Sequence, residues 1–461
     1  MSDKNSLVTI VKDPPKPPRR TWLDPSQVAP HRAVEVVTEE EKRHTAQVEH
    51  HAELPKDFYK RIPIVQPPLV PGAEVNCETL LGFLAALQTI LPPETNYPIL
   101  GSAKIGYDPA AAKLYLEAGS HAVWTMIALQ VVSGTDKGFS AIMPIQRAKN
   151  VLMALRDVAP TVVVGVDELG VCLGPHTVPF GGPIDDFPDQ PVVIDWVARA
   201  AVPVTYFRDI ADRVLVARSE DFKETAIQGA LIDFEFMDYE GASMPLCTVV
   251  ATDANRIHIL RLPRMMIEVK QTHLRSLPPT CTVAAGFFSF LKEIAQPEWA
   301  CLELARDQVV AKGPDFVVIA KAATEAKSSL NELVSWRKVN IDYPGYWLAA
   351  GVQIVDVVKR AGQGGRAIEC KLVIDRGREA LTVSSITEAG ERFSASVPVR
   401  GFDGMPVEVR LSIMYLLEAL GACTGGLVRL AFTADVDAQA TSPVVIRGED
   451  EQFKAIIMPR L

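Results

Sequence analysis

Few segments of this sequence hold residue types that could do covalent or acid–base chemistry together. Asp185-Asp186 pairs two carboxylates, but adjacent residues in a proline-bounded loop do not converge on one site. His258 beside Arg256 is an acid–base candidate by type, yet on a strand this spacing describes a histidine with one solvated face. His50-His51 could touch a metal, but no neighbouring Cys or carboxylate pattern completes a ligand set. No serine sits in a Gly-x-Ser-x-Gly elbow. The run Ala361-Gly362-Gln363-Gly364-Gly365 follows a helical pattern and lacks the Gly-Lys-Ser/Thr ending of a phosphate loop. The seven cysteines (Cys77, Cys172, Cys247, Cys281, Cys301, Cys370, Cys423) are odd in number and form no C-x-x-C. They read as buried reduced thiols rather than a disulfide framework or a zinc site. The expectation is a protein without catalysis, metal or cofactor.

The chemistry left is recognition. The sequence ends Glu451-Gln452-Phe453-Lys454-Ala455-Ile456-Ile457-Met458-Pro459-Arg460-Leu461, a short apolar strand running into Met-Pro-Arg-Leu. A terminus frays unless it is tied down. An apolar one should lie against something, or wait for something to bind.

The elements around it follow from composition and pattern. The chain has 461 residues, 48% hydrophobic and 22% charged, enough for about three globular domains. No apolar run reaches the roughly 18 residues that span a bilayer. The charged, proline-bearing N-terminus has no signal-peptide core, so the cytoplasm is expected. The formal net charge of −9 is not the balance of a protein that grips nucleic acid by overall charge. Basic groups gathered on one face remain compatible with it.

Residues 1–72 hold Pro14-Pro15-Lys16-Pro17-Pro18-Arg19-Arg20, the cluster Glu39 to Arg43, and Pro63, Pro67, Pro68 and Pro71. Such proline density predicts a largely disordered arm. Beyond it one pattern recurs three times: amphipathic helix, alternating strands, second helix, more strands. The first helices are expected near Thr79–Leu91, Phe207–Arg218 and Trp347–Arg360. The second are expected near Ile145–Arg156, Phe287–Ala295 and Val409–Leu420. A recurrence this long reads as tandem domains of one fold, at 73–200, 201–335 and 336–461. Helix pairs against antiparallel sheet make the class α+β.

Four motifs occur in order along this frame. They are Tyr97-Pro98-Ile99-Leu100-Gly101, Asp186-Phe187-Pro188, Val250-Ala251-Thr252-Asp253-Ala254-Asn255-Arg256-Ile257, and Pro443-Val444-Val445-Ile446 with the ending Ile456 to Leu461. They resemble the P-I-L, D-F-P, A-T-D-G-H-R-L and terminal segments of the bacterial replicative sliding clamp, the β subunit of DNA polymerase III. The resemblance covers about residues 75–461.

It implies three clamp domains per chain and a ring of six domains from two chains, with helices lining a hole for duplex DNA. The DNA would be held by topology, with phosphates touched by Arg147, Lys149, Arg208, Arg213, Lys292, Lys359, Arg360 and Arg410. It also implies a groove between domains 2 and 3 for partner peptides of polymerase and clamp-loader subunits. The groove wall would be Ile227, Thr252, Ala254, Asn255, Arg256, Ile257, Tyr415, Val444, Ile456, Ile457, Met458, Pro459, Arg460 and Leu461.

There are departures. Acidic residues nearly balance the basic ones on the inner helices. Thr225 and Ala226 stand where the family carries paired aromatics. The glycine run after the third unit's first helix replaces apolar interface residues, and Lys321–Leu333 replaces a proline-bearing segment. The ending is one residue shorter than Met-Pro-x-Arg-Leu. A clamp-fold protein scaffold that does not encircle DNA is therefore the alternative.

Overall fold

The computed structural model describes residues 72–91, 98–192, 196, 198–220, 228–239, 242–262, 267–269, 280–294, 299–305, 308–323, 343, 347–351, 353–363, 368–374, 379–401, 406–433, 435, 438 and 441–460. The expected arm, except for Gly72, lies outside the described residues. So do Thr225, Ala226, Ile227, residues 324–333 and Leu461.

Six α-helices stand among the described residues. They are α1 (Cys77–Gln88), α2 (Ile145–Leu155), α3 (Val204–Asp209), α4 (Ala285–Glu293), α5 (Gln353–Gln363) and α6 (Ile413–Gly421). Their sequences explain them. Asn76 caps α1, its Oδ1 accepting the Thr79 N–H at 2.9 Å. Leu80, Leu84 and Leu87 then bury one stripe. Ser412 caps α6 in the same way through the Tyr415 N–H, and Ile413, Leu416 and Leu420 face the core. In α5, Ile354, Val357, Val358 and Ala361 are buried at helical spacing.

Two expected helices begin later than their pattern suggests. Trp347–Gly351 is a strand, and α5 starts at Gln353. Val407–Ser412 is likewise a strand, with buried and exposed residues alternating, and α6 starts at Ile413. The helix expected over Phe207–Arg218 is interrupted. After α3 the backbone widens into a π turn at Ile210–Val214 and tightens into a 3₁₀ turn at Leu215–Ala217. No helix among the described residues is long and apolar enough to cross a membrane.

The helices pack in consecutive pairs, α1 with α2, α3 with α4, and α5 with α6. Every strand pairing among the described residues is antiparallel, and the core lies between the helices and the sheets. Two joins bring together elements distant in the chain, each made by a strand pair and by packed helical segments. Strand Val123–Gln130 pairs with Phe316–Ala323, Thr125 opposite Val318. Beside them α1 packs on α4, where a Cβ on Gly286 would stand 3.3 Å from the Thr89 carbonyl oxygen. Glycine permits that close approach. At the second join, Arg256–Arg261 pairs with Phe453–Ile457, His258 opposite Ala455, while the π turn packs on α6.

Candidate functional site

The second join carries the features for which the C-terminal residues were singled out. Strands Ala242–Thr252 and Arg256–Arg261 are linked by a tight turn whose hydrogen bonds come from its own side chains. Asp253 Oδ1 accepts the Asn255 and Arg256 N–H groups at 3.0 and 3.1 Å. Thr252 Oγ1 accepts the Ala254 N–H at 3.0 Å and donates to the Arg256 carbonyl. Ala254 is left at φ 70°, a left-handed conformation that costs an L-residue about 1–2 kcal/mol. Ala254→Gly is therefore expected to raise stability by about 0.5–1 kcal/mol, read as a higher urea midpoint at unchanged slope. A midpoint equal to or below that of the parent would show that the turn is relaxed with alanine.

The turn aims Arg256 inward. Its guanidinium lies 4.2 Å from the Tyr415 ring centroid and 3.1 Å from Asp253 Oδ2. It also pairs with Glu418 and donates to the Val216 carbonyl. Arg256 is only 7% exposed. Burial pulls its pKa down, and the Asp253 charge opposes that fall. Burial, aided by the negative charge of Asp253, pushes the Tyr415 phenol above its ordinary value. Arg256 is thus a structural tie between the turn and α6. By sequence Glu418 counts among the acidic residues of the inner helices and not with the groove, although it lies one helical turn after Tyr415.

The terminus is held to this turn. Met458 N–H donates to the Asn255 carbonyl at 2.9 Å, and Arg460 N–H donates to the Arg410 carbonyl at 2.9 Å. The Arg460 guanidinium reaches Glu369 at 3.4 Å. Thr252, Ala254, Asn255, Tyr415, Met458, Pro459 and Arg460 all keep exposed surface, Met458 at 43%. Ile257, Val444, Ile456 and Ile457, expected in the groove wall, are buried instead. The two faces of the joined sheet divide them. Val444 and Ile457 belong to the main core, while Ile257 and Ile456 cluster with Leu231, Val250, Ile259, Ala431 and Val445 under Tyr343. Tyr343 was not singled out by sequence. Its hydroxyl donates to the Pro443 carbonyl at 3.1 Å, beside a shallow depression lined by Phe432, Thr433, Ser442 and Val444.

The basic residues expected to face DNA fall into three groups. Arg147 on α2, Arg208 on α3, and Lys359 and Arg360 on α5 are exposed. Lys149 reaches Gln88 of α1, and Lys292 pairs with Asp212 at 2.5 Å. Arg213 and Arg410 differ from expectation. Arg213 is 7% exposed, donating from Nε to the Ala422 carbonyl at 2.7 Å and from Nη2 to Asp450 at 2.8 Å. The π turn carries its side chain across the join instead of outward. Arg410 is exposed, but on the strand Val407–Ser412 rather than on a helix. His258 completes this buried network. Its ring meets Phe453 edge-on at 5.2 Å, and its Nδ1 lies 2.7 Å from the Arg213 carbonyl. Because a carbonyl only accepts, Nδ1 carries the proton there. Burial pushes the imidazole pKa down to about 3, which keeps it neutral and removes it from acid–base work near pH 7. Among the described residues no group of three His, Cys, Asp or Glu side chains could hold a metal ion.

No protein-family model matches the sequence, and none of the curated proteins does. Solved structures do match. The Caulobacter crescentus DNA polymerase sliding clamp superposes with a TM-score of 0.67 at 17% identity, over 85% of this chain and 100% of that one. The Bartonella birtlesii DnaN sliding clamp, DNA polymerase III subunit beta, bound to griselimycin, gives 0.69 at 15%, over 85% and 100%. The Helicobacter pylori beta clamp bound to a DNA ligase peptide gives 0.65 at 16%, again over 85% and 100%. The six helices, the antiparallel sheets and the joined strands together make the fold of this chain that of the bacterial β sliding clamps.

Proposed function

We propose that this protein is a sliding clamp, a non-enzymatic ring that encircles duplex DNA and tethers partner proteins. On this reading the body divides into domains 73–200, 201–335 and 336–461, and two copies close head to tail. One observation carries it, the repetition of the join. At each internal join a strand of one unit meets the last strand of the next. The equivalent strands at the two ends are Arg392–Arg400 and His176–Pro179. Among the described residues, His176–Pro179 pairs with Gly170–Leu173 alone. Arg392–Arg400 pairs with Ala380–Ile386, and among the described residues only Val399 and Arg400 meet another strand on its other side. Open sheet edges are templates for further pairing.

A second copy repeats the join at both ends, and a heterologous contact whose rotation closes makes a ring. It also brings the end of α5, with Ala361 and Gly362, to α2 of the copy, as the end of α1 meets α4. Arg147, Arg208, Lys359 and Arg360 then contact phosphates without reading sequence. The strip of Tyr415, Asn255 and Met458 takes short peptides of polymerase, clamp-loader and repair proteins, as the Helicobacter pylori clamp takes a ligase peptide. The site of action is the nucleoid in the cytoplasm. The burial of Arg213 and the pairing of Lys292 with Asp212 favour a second reading, a clamp-fold scaffold without DNA.

Mass and topology separate the two. Light scattering at micromolar concentration should give about twice the chain mass of 50.3 kDa. Protein loaded on nicked circular DNA should be retained at moderate salt and lost when the circle is cut. A monomer at every concentration, or equal retention on cut and uncut DNA, leaves the scaffold as the reading.

A further inference from the structure

The outer face of the first unit's sheet holds a hollow of about 320 Å³, away from the terminus and the helices. It arises from one row of side chains. Across the strands Phe139–Pro144, Ser102–Asp108, Lys113–Gly119 and Val123–Gln130, the register places Ser140, Gly106, Tyr115 and Ala128 side by side. Alternate residues on a strand share a face, so this row points away from the core that Ile105, Leu114, Leu116 and Ile127 fill. Three of its four members are small, and Tyr115 is the one large side chain. The next row, Lys104, Glu117 and Met126, is long and walls the hollow on one side.

The charges of the hollow do not cancel. Lys104 and Glu117 neutralise each other at 3.6 Å. Asp108 stands on the opposite side, across from Lys113 in register. Lys113 instead turns to Asp315 of the neighbouring unit at 3.0 Å. Among the described residues Asp108 has no ion-pair partner. Its Oδ1 accepts the Ala110 N–H at 2.9 Å, which fixes the carboxylate at the rim. The hollow therefore combines an aromatic ring, a floor without side chain at Gly106 and one uncompensated carboxylate.

We propose that this hollow binds the arginine side chain of a partner peptide. A planar guanidinium stacks on Tyr115, its stem lies over Gly106, and its N–H groups donate to Asp108. Arginine suits the site better than lysine, because the flat fork stacks and donates at once, whereas an ammonium is a hydrated point charge. The site is separate from the Met458 strip and does not depend on the clamp reading.

Met126 reports on it. With methyl-¹³C-methionine protein, its signal assigned by its loss in Met126→Leu, acetyl-Gly-Arg-Gly-amide is titrated in. The Met126 methyl should shift saturably, with a Kd on the order of 1–10 mM. The lysine and citrulline peptides should bind at least roughly threefold more weakly. Asp108→Asn keeps the turn acceptor but removes the charge, and should weaken arginine binding roughly fivefold or more. Gly106→Val should abolish it. A Cβ there meets nothing nearer than the Phe139 carbonyl oxygen at 3.6 Å, so the variant should melt like the parent. A shift that does not saturate, equal shifts with all three peptides, unchanged affinity in Asp108→Asn, or binding retained by folded Gly106→Val would each overturn the proposal.

Discussion

Replacing Arg213 with alanine is expected to cost about 3 kcal/mol. The reason is the set of groups it leaves behind. Arg213 is buried, with its guanidinium on the Ala422 carbonyl, on Asp450 and 5.1 Å from the Phe453 ring centroid. Burial pushes the Asp450 carboxyl up, but hydrogen bonds from Thr424 and Arg213, together with the Arg213 charge, outweigh it. They hold the carboxyl below its ordinary value. Removing the arginine leaves a half-buried carboxylate and an unpaired carbonyl, and such orphaned groups cost more than the pair contributed.

The expected readout is a melting transition lower by several degrees at pH 7. The loss should shrink as pH falls. A carboxyl whose folded pKa lies below its unfolded value stabilises above the unfolded value near 4, and that contribution fades as pH drops through the folded one. Arg208→Ala, at an exposed position of α3, should change stability by no more than about 0.5 kcal/mol. Equal melting of both variants would mean that the π turn does not fasten the second join through Arg213.

The expectation that Arg213 faces DNA shows where sequence reasoning stops. Of the apolar stripe Phe207, Ile210, Ala211, Val214 and Leu215, all but the partly buried Ala211 are buried. What a one-dimensional pattern lacks is the extra residue per turn at Ile210–Val214, which rotates Arg213 towards the join. Its partners are 209 and 237 residues away in the chain, so no local signal joins them. Helix α2 was legible because its apolar stripe is clean. The start of α6 was missed because Val407-Glu-Val-Arg-Leu carries apolar residues that suit either period. The deciding residue was the cap, Ser412, and a cap signal outranks a periodicity that fits both elements. Trp347–Gly351 is a short apolar run that periodicity alone cannot divide between strand and helix.

At the candidate strip the turn Thr252–Arg256 was legible, because Thr, Asp and Asn are turn-forming types. The inward direction of Arg256 was not, because it depends on Glu418 and Tyr415 arriving from a distant helix.

That burial pattern also decides how the peptide-binding proposal is best tested. Ile457 is fully buried and pairs with Arg256 on one side and Val444 on the other, so a truncation that includes it would damage the join itself. Deletion of Met458 to Leu461 keeps the whole strand Phe453–Ile457. It removes the hydrogen bonds from Met458 to Asn255 and from Arg460 to Arg410, along with the exposed Met458 side chain. A few apolar anchors carry most of the energy of such binding, and one buried anchor is worth roughly 1.5–3 kcal/mol.

A labelled peptide with a glutamine and spaced apolar residues should therefore bind the truncated protein about tenfold or more weakly, since 1.4 kcal/mol is a factor of ten. Its melting curve should stay near that of the parent. Met458→Glu should reproduce most of the loss with the backbone intact, because a carboxylate cannot be buried under an apolar side chain without a partner. Fluorescence anisotropy of the peptide against the three proteins, each shown to be folded, measures this. If all three bind alike, the terminus is an ordinary sheet edge, and partner peptides do not use the strip between the Thr252–Arg256 turn and α6.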